Sequence, residues 1–193
     1  MASIIVIDNF YTDPYYIRQE AFKMEWFDQM GNHPGKRTKF DRHPSVKQRL
    51  ENEIGEKIIN WDADWNTYNG SYNLCTQLDK CWIHADQGNT WACVVYLTPD
   101  APLASGTALY KHKKTGLRTY DYNNVELMDE IYKDSLDFTA WEVTDFVGNV
   151  FNRAIVYRGE YFHAAVQYFG HSDDYCRMHQ TFFFSTERFG EAG

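Results

Sequence analysis

The sequence predicts a mainly β protein with flanking helices, an α+β chain whose larger part is a β-sandwich or jelly roll. Short β-type runs recur from Trp65 onward with turn residues between them: WACVVYL, GTALYKH, AIVY and RMHQTFFFS. This spacing is typical of an all-β sandwich or jelly roll. The first third instead has apolar residues at helical spacing. We therefore expect one domain over residues 1–193, with a mostly helical part at 1–64 packed on a β core at 65–188.

The N-terminal part is expected to hold one strand and two helices. The run SIIVI has β character, and Asp13 followed by Pro14 is an N-cap and first-turn pair that predicts a helix through YYIRQEAFKMEW. Helical spacing in SVKQRLENEIGEKIINW predicts the second helix. The stretch between them, DQMGNHPGKRTKFDRHP, is rich in Gly, Pro and charge and predicts a loop.

One helix is expected inside the β part. Asn69-Gly70 predicts a tight turn near its start. The run NVELMDEIYKDSL has helical spacing and falls within a polar segment at 112–148. Insertions between strands form the rim of such a barrel, so this segment is a candidate lid. A packing flap without any role in substrate binding fits the sequence equally well.

Composition excludes several classes of partner. The chain has 193 residues, 44% of them hydrophobic, and a formal net charge of -8. An acidic chain is a poor match for the phosphate backbone, so we expect no nucleic-acid partner. No apolar stretch approaches the roughly 20 residues that span a bilayer, and MASIIVIDNF does not resemble a signal peptide. We expect a cytoplasmic protein with no membrane partner. The four cysteines lie in apolar segments and are expected to be reduced, buried thiols. The oligomeric state stays open.

A histidine and an aspartate stand two positions apart in CWIHADQGNTWACVVYLTPD. If His84 and Asp86 end a strand, their side chains point the same way and can share a metal ion. The same pattern recurs at His171 and Asp173, but within the polar turn FGHSDDYC. Only the first pair is followed by a long β run and by His163, just past a short strand. Two histidines and one carboxylate are the ligands of non-haem Fe(II) sites.

The order of five segments resembles the 2-oxoglutarate and Fe(II)-dependent oxygenases of the prolyl-4-hydroxylase-like group. The resemblance covers roughly residues 81–110 and 152–188. It rests on the segments His84-Ala85-Asp86, Tyr96-Leu97-Thr98-Pro99, Ser105-Gly106-Thr107-Ala108-Leu109, NRAIVYRGEYFHAA and RMHQTFFFSTER. The family usually has Gly-Gly where this chain has Ser105-Gly106, and the spacing from His163 to Arg177 is somewhat long.

The resemblance implies a double-stranded β-helix core and a metal triad. Fe(II) would be held by His84, Asp86 and His163, with 2-oxoglutarate as cosubstrate and O2 as oxidant. The implied reaction is hydroxylation of a protein residue, an amino acid or a small metabolite, with release of succinate and CO2. The substrate would thus be a small molecule or a peptide.

The resemblance also implies a site for the cosubstrate. Arg177 would bind the distal carboxylate of 2-oxoglutarate, with Tyr96 and Thr181 donating hydroxyl hydrogen bonds to it. Tyr72, in the strand before the metal motif, is a further candidate. The strand alternation supports this site independently, because Arg177, His179 and Thr181 share one face of the last strand. A guanidinium can hold a carboxylate in a bidentate fork.

Two other classes of protein remain possible from the residues. A cupin-like metal dioxygenase would use the same barrel without 2-oxoglutarate and would have no need of an interior arginine. A non-catalytic jelly-roll binding module would need no metal ligands, although all three are present in this chain.

Overall fold

The protein is described here by a computed structural model that covers residues 4–28 and 34–188. Within these ranges the chain forms three α-helices and eleven β-strands. In chain order they are β1 (Ile4–Ile7), α1 (Pro14–Phe22), β2 (Trp26–Asp28), β3 (Lys36–Phe40), α2 (Pro44–Ile54), β4 (Ser71–Cys75), β5 (Trp91–Tyr96), β6 (Thr107–His112), α3 (Val125–Tyr132), β7 (Trp141–Val147), β8 (Ala154–Arg158), β9 (His163–Ala165), β10 (Gly170–Ser172) and β11 (Tyr175–Phe184). The expected mainly β character is confirmed.

The described strands form two antiparallel sheets. The large sheet has the order β1-β8-β5-β11-β4-β3-β2, and β10 pairs with β11 at its side. The small sheet has the order β7-β6-β9. The long strand β11 lies at the centre of the large sheet, between β5 and β4. Its side chains therefore reach both the interior and the helical side of this sheet.

The helices begin and end where local chemistry dictates. The Asp13 carboxylate accepts a hydrogen bond of 2.9 Å from the backbone N–H of Tyr16, and Pro14 occupies the first turn of α1. Helix α2 ends at Ile54 because Gly55 adopts the left-handed conformation, with φ of 77°. The prediction that this helix continues to Trp61 is wrong. Trp61 instead stacks on Phe182 of β11, with ring centroids 5.4 Å apart, in the main apolar core.

Strands β2 and β3 occupy segments that the sequence did not predict to be strands. Strand β3 lies inside the predicted loop, and it pairs with β2 on one side and β4 on the other. Its residues Arg37 and Thr38 are buried. Residues 29–33 of that predicted loop lie outside the described residues. The first helix ends at Phe22 rather than continuing to Trp26, which begins β2. The predicted turn at Asn69-Gly70 is present, with Gly70 at φ of 93°.

The segment 112–148 folds into α3 and the edge strand β7. Met128 and Ile131 of α3 are buried against a second apolar cluster that contains Ile83 and Phe162. Val143 and Phe146 of strand β7 are exposed, and among the described strands β7 pairs with β6 alone. Because exposed and buried residues are mixed in β7, this strand could not be recognised within the polar segment.

Cysteine placement follows the expectation at three of four positions. None of the four cysteines forms a disulfide; Cys75, Cys93 and Cys176 are buried, and Cys81 is partly exposed. Among the described residues, no helix is both long enough and apolar enough to cross a bilayer.

Candidate metal centre and buried cavity

Three side chains that could ligate a metal ion converge at one place. One ligand atom from each of His84, Asp86 and His163 lies within 4.8 Å of the other two. His84 Nε2 is 3.9 Å from Asp86 Oδ1, and His163 Nε2 is 3.4 Å from Asp86 Oδ2. The structure therefore brings together the three residues that the sequence proposed as ligands.

Backbone pairing sets the positions of these ligands. The backbones of His84 and His163 form an antiparallel bridge, with N–H to carbonyl distances of 3.0 and 2.8 Å. The stretch around His84 makes this one bridge but is not a regular strand, so the expected strand end at His84 and Asp86 is wrong. Asp86 N–H donates to Gly159 O at 2.8 Å. The backbone of Asn89 also lies close to Gly159. A Cβ at position 159 would lie 2.8 Å from Asn89 O, so glycine is required there.

The imidazole rings are oriented for metal binding. Nδ1 of His84 lies 3.1 Å from Trp82 O, and Nδ1 of His163 lies 2.8 Å from Tyr161 O. A carbonyl can only accept, so each Nδ1 carries a proton, and in a neutral ring Nε2 then has the lone pair that a metal ion needs. Burial lowers the pKa of His163 to about 4, which keeps this ring neutral near pH 7. Hydrogen bonding of the second ring nitrogen is the usual way to fix a histidine ligand.

The aspartate supplies the remaining test of the site. Asp86 Oδ2 is buried and makes no hydrogen bond with any described residue. An ionised carboxylate oxygen without a partner is costly to bury, and a cation would satisfy it. Two imidazoles and one carboxylate fit the ligand set of a non-haem Fe(II) site that leaves coordination positions open.

The candidate metal centre opens into a cavity of about 700 Å³ between the two sheets. One wall is the interior face of β11, where Arg177, His179, Thr181 and Phe183 line the cavity. The alternate residues of β11 pack on the opposite side of the sheet, as the period of two predicts. No residue of the segment 112–148 lines this cavity. The role of this segment as a lid therefore stays a prediction that no contact with the cavity supports.

Arg177 is a buried cation in this cavity. Its side chain is held by Nε donating to Ser105 O at 2.9 Å and Nη2 donating to Thr107 Oγ1 at 3.3 Å. Nη1 lies 3.1 Å from His179 Nδ1, which must accept because a guanidinium has only donors. Only 3% of Arg177 is exposed, and no carboxylate of the described residues forms an ion pair with it. A buried charge without a counter-ion points to an anionic ligand.

The three hydroxyl residues that the sequence suggested for the cosubstrate site lie at different positions relative to the cavity. Thr181 lines the cavity, and its hydroxyl oxygen lies 3.2 Å from the Asn73 side-chain amide. Tyr96 is fully buried beneath the cavity and donates to Thr107 Oγ1 at 2.9 Å. Tyr96 therefore does not line the cavity itself, but its hydroxyl contacts Thr107, which does. Tyr72 lies on the helical side of the sheet, where its hydroxyl donates to Asp41 Oδ2 at 2.9 Å. The structure does not place Tyr72 at the cavity.

Sequence reasoning missed Arg37 and Thr107 as cavity residues. Arg37 was overlooked because its strand is polar and was assigned to a loop, although the run KRTKF carries β-branched and aromatic residues. The second His-x-Asp pattern lies away from the cavity. His171 is exposed and Asp173 is partly exposed, and Asp173 forms an ion pair with Lys36 at 2.5 Å.

The chain has the fold of solved non-haem, 2-oxoglutarate-dependent enzymes. HygX from Streptomyces hygroscopicus, solved with nickel and 2-oxoglutarate bound, is 11% identical with a TM-score of 0.52 over 98% of this chain and 85% of that chain. SnoK, a non-haem alpha ketoglutarate dependent carbocyclase from nogalamycin biosynthesis, is 10% identical with a TM-score of 0.54 over 94% and 79%.

A prolyl hydroxylase from Trichoplax adhaerens has the same fold. It was solved in complex with a hypoxia inducible factor oxygen degradation domain peptide fragment, and it is 11% identical with a TM-score of 0.54 over 96% of this chain and 84% of that chain. By sequence, residues 1–168 match DUF6445, a family of unknown function, and the chain belongs to this family. No curated protein matches the sequence.

Proposed function

We propose that the chain is a 2-oxoglutarate- and O2-dependent non-haem Fe(II) dioxygenase whose two sheets form a double-stranded β-helix, or jelly roll. The observation that carries this proposal is the pairing of two features in one cavity. The cavity holds a His-Asp-His ligand set and, on the face of β11, the buried Arg177 without a carboxylate partner. A cupin-like metal site would need the first feature but not the second.

The chain's own residues would bind and orient the reactants. Fe(II) would be held by His84, Asp86 and His163, and Arg177 would receive the distal carboxylate of 2-oxoglutarate in a bidentate fork. The Thr181 hydroxyl, which donates to Ser71 O at 3.4 Å, would turn to donate to the same carboxylate, while Tyr96 would keep Thr107 in place beneath it. When bound, iron and keto acid supply oxidation by O2, with succinate and CO2 as coproducts.

Water would be excluded from the reaction by the apolar and aromatic residues between the sheets. Val94, Tyr157 and Phe183 line the cavity and belong to, or pack against, the third apolar cluster. These apolar cavity walls would strengthen the electrostatic contacts of Arg177, because the surrounding dielectric is low.

The proposed reaction is hydroxylation of a protein residue, an amino acid or a small metabolite.

The proposal is tested by substrate-stimulated release of succinate. Purified protein with Fe(II), 2-oxoglutarate and O2 would be screened against peptides, including prolyl peptides, and against amino acids and metabolites. Succinate formation that requires both Fe(II) and a particular substrate is the expected result. An anaerobic titration of 2-oxoglutarate provides the control, because chelation to ferrous iron gives a charge-transfer absorption band. Iron binding without this band would refute the proposal and favour a metal dioxygenase that does not use a keto acid.

A further inference from the structure

Arg37 is a second buried cation in the same cavity. It lies on β3, only 6% of it is exposed, and it lines the cavity with the metal ligands and Arg177. No described carboxylate forms an ion pair with it at the salt-bridge distance. Burial lowers the pKa of Arg37 to about 10, so its guanidinium is still charged at neutral pH.

The Arg37 side chain is oriented with one edge left open. Its Nε donates to Asn73 Oδ1 at 2.7 Å, and its guanidinium carbon lies 4.3 Å from the centre of the Tyr68 ring. The two terminal nitrogens make no hydrogen bond with any described residue. Both donors of the Nη1–Nη2 edge thus remain available in a fork geometry that matches a carboxylate.

The sum of the charges in the filled cavity indicates that the open edge of Arg37 needs an anionic ligand. The charges of Arg177 and a ferrous ion together would cancel those of Asp86 and the two carboxylates of 2-oxoglutarate. As metal ligands, His84 and His163 would be neutral imidazoles, and the His179 ring is neutral because it accepts a hydrogen bond from Arg177. Among the charged residues that line the cavity, Arg37 alone would then remain without a counter-charge. An unpaired buried charge is expensive, so a further anion is required when the cavity is filled.

We propose that the primary substrate is a small carboxylic acid whose carboxylate binds to the open edge of Arg37. This inference rests on the proposed function, because it assigns the substrate class of the same site. Trp65, Tyr68 and Trp82 also line the cavity and would contact the rest of the substrate. A cavity of about 700 Å³ holds the cosubstrate and a second metabolite-sized molecule.

The test compares matched acids and amides in the full chain. Protein loaded with Ni(II) and 2-oxoglutarate would be titrated calorimetrically with N-acetylalanine, N-acetylleucine and N-acetylphenylalanine, and with the corresponding N-acetyl amino acid amides. The wild type is expected to bind at least one acid about 10- to 100-fold more tightly than its amide, the range of a charge-assisted hydrogen-bonded pair. Arg37→Gln should abolish this preference and leave the affinity for 2-oxoglutarate within about twofold of wild type. Arg37→Lys should keep part of the preference.

Two controls separate this inference from the proposed function. Arg42→Gln removes an arginine of the neighbouring loop that does not line the cavity, and it should change neither affinity. Arg177→Gln should weaken 2-oxoglutarate binding, and in the metal-only protein it should keep the acid preference that Arg37 provides. Failure of the wild type to bind 2-oxoglutarate would refute the proposed function, while the acid preference would still be measured with Ni(II) alone.

Three results would overturn the inference. The first is a wild type that binds no acid, or that binds acids and amides equally. The second is an Arg37→Gln variant that remains folded by thermal melting and retains the acid preference. The third is a loss of 2-oxoglutarate affinity in Arg37→Gln as large as that in Arg177→Gln, which would assign Arg37 to the cosubstrate site.

Discussion

Replacing Arg177 by Ala should abolish 2-oxoglutarate binding before it affects metal binding. The side chain lies on β11, whereas the three candidate ligands belong to the His84 stretch and β9. Its hydrogen bonds run to Ser105, Thr107 and His179, and none runs to a ligand residue. The variant would therefore remove the partner of the distal carboxylate and leave the ligand set intact.

The magnitude follows from the burial of Arg177. Only 3% of this residue is exposed, so the loss of one partner of the proposed buried pair should cost about 3 to 5 kcal/mol. This range corresponds to roughly two to four orders of magnitude in Kd. Water that enters the space left by the guanidinium would solvate the carboxylate in part, which favours the lower half of the range. Arg177→Lys should recover only part of the loss, since an ammonium cannot reproduce the planar fork.

The assay is an anaerobic titration of 2-oxoglutarate into Fe(II)-loaded wild type and variants, followed by the charge-transfer band. Arg153→Ala is the matched control, because Arg153 forms an ion pair with Asp8 away from the cavity, at 2.7 Å. This control should bind 2-oxoglutarate like the wild type. Equal affinity in Arg177→Ala, with iron still bound, would refute the assignment of Arg177 as the carboxylate anchor.

Three further predictions concern the ligands, the excluded tyrosine and stability. Asp86→Ala should weaken Fe(II) binding severely in an equilibrium metal titration, whereas Asp173→Ala should not; equal effects would mean that the wrong pattern was chosen. Tyr72→Phe should leave the Kd for 2-oxoglutarate unchanged, and a tenfold loss would contradict its placement outside the cavity. Burial of Glu51 is outweighed by hydrogen bonds from Ile58 N–H and Lys57, which lower its pKa. The stabilisation is therefore present above about pH 4.5 and lost as pH falls through the folded pKa. Glu51→Gln should cost about 1 kcal/mol in chemical unfolding at pH 7 and less in acid; a pH-independent cost would refute this linkage.

The predictable parts of the fold are those with a strong local signal. Asp13 and Pro14 marked the start of α1, and the apolar run at Trp91–Tyr96 marked the buried strand β5. Gly55 offered an equally good helix end, which the prediction of a longer helix overlooked. Strand β3 could not be recognised from alternation, because its two buried residues, Arg37 and Thr38, are adjacent and polar, and Arg37 lines a cavity rather than an apolar core. Polar residues at interior positions are expected where a site overrides the usual pattern.

Some residues of the candidate site could be predicted from the sequence, and others could not. The positions of His84, Asp86, His163 and Arg177 followed from a resemblance in the order of motifs, and the structure brings all four to one cavity. Tyr72 could not be excluded from sequence, since the face that it occupies depends on the register of β4 against β11. Arg37 reaches the cavity only through pairing of β3 with β4 across a long separation in sequence.

The placement of the ligands also joins two parts of the architecture. Asp86 is hydrogen bonded to Gly159, directly after β8 of the large sheet, while His84 is bridged to His163 of the small sheet. An ion held by all three side chains would act as a crosslink across this junction, and its binding free energy would add to the resistance against local opening. Removal of such an ion would then loosen one end of the cavity, so we expect a protease to cleave the metal-free chain faster at this junction.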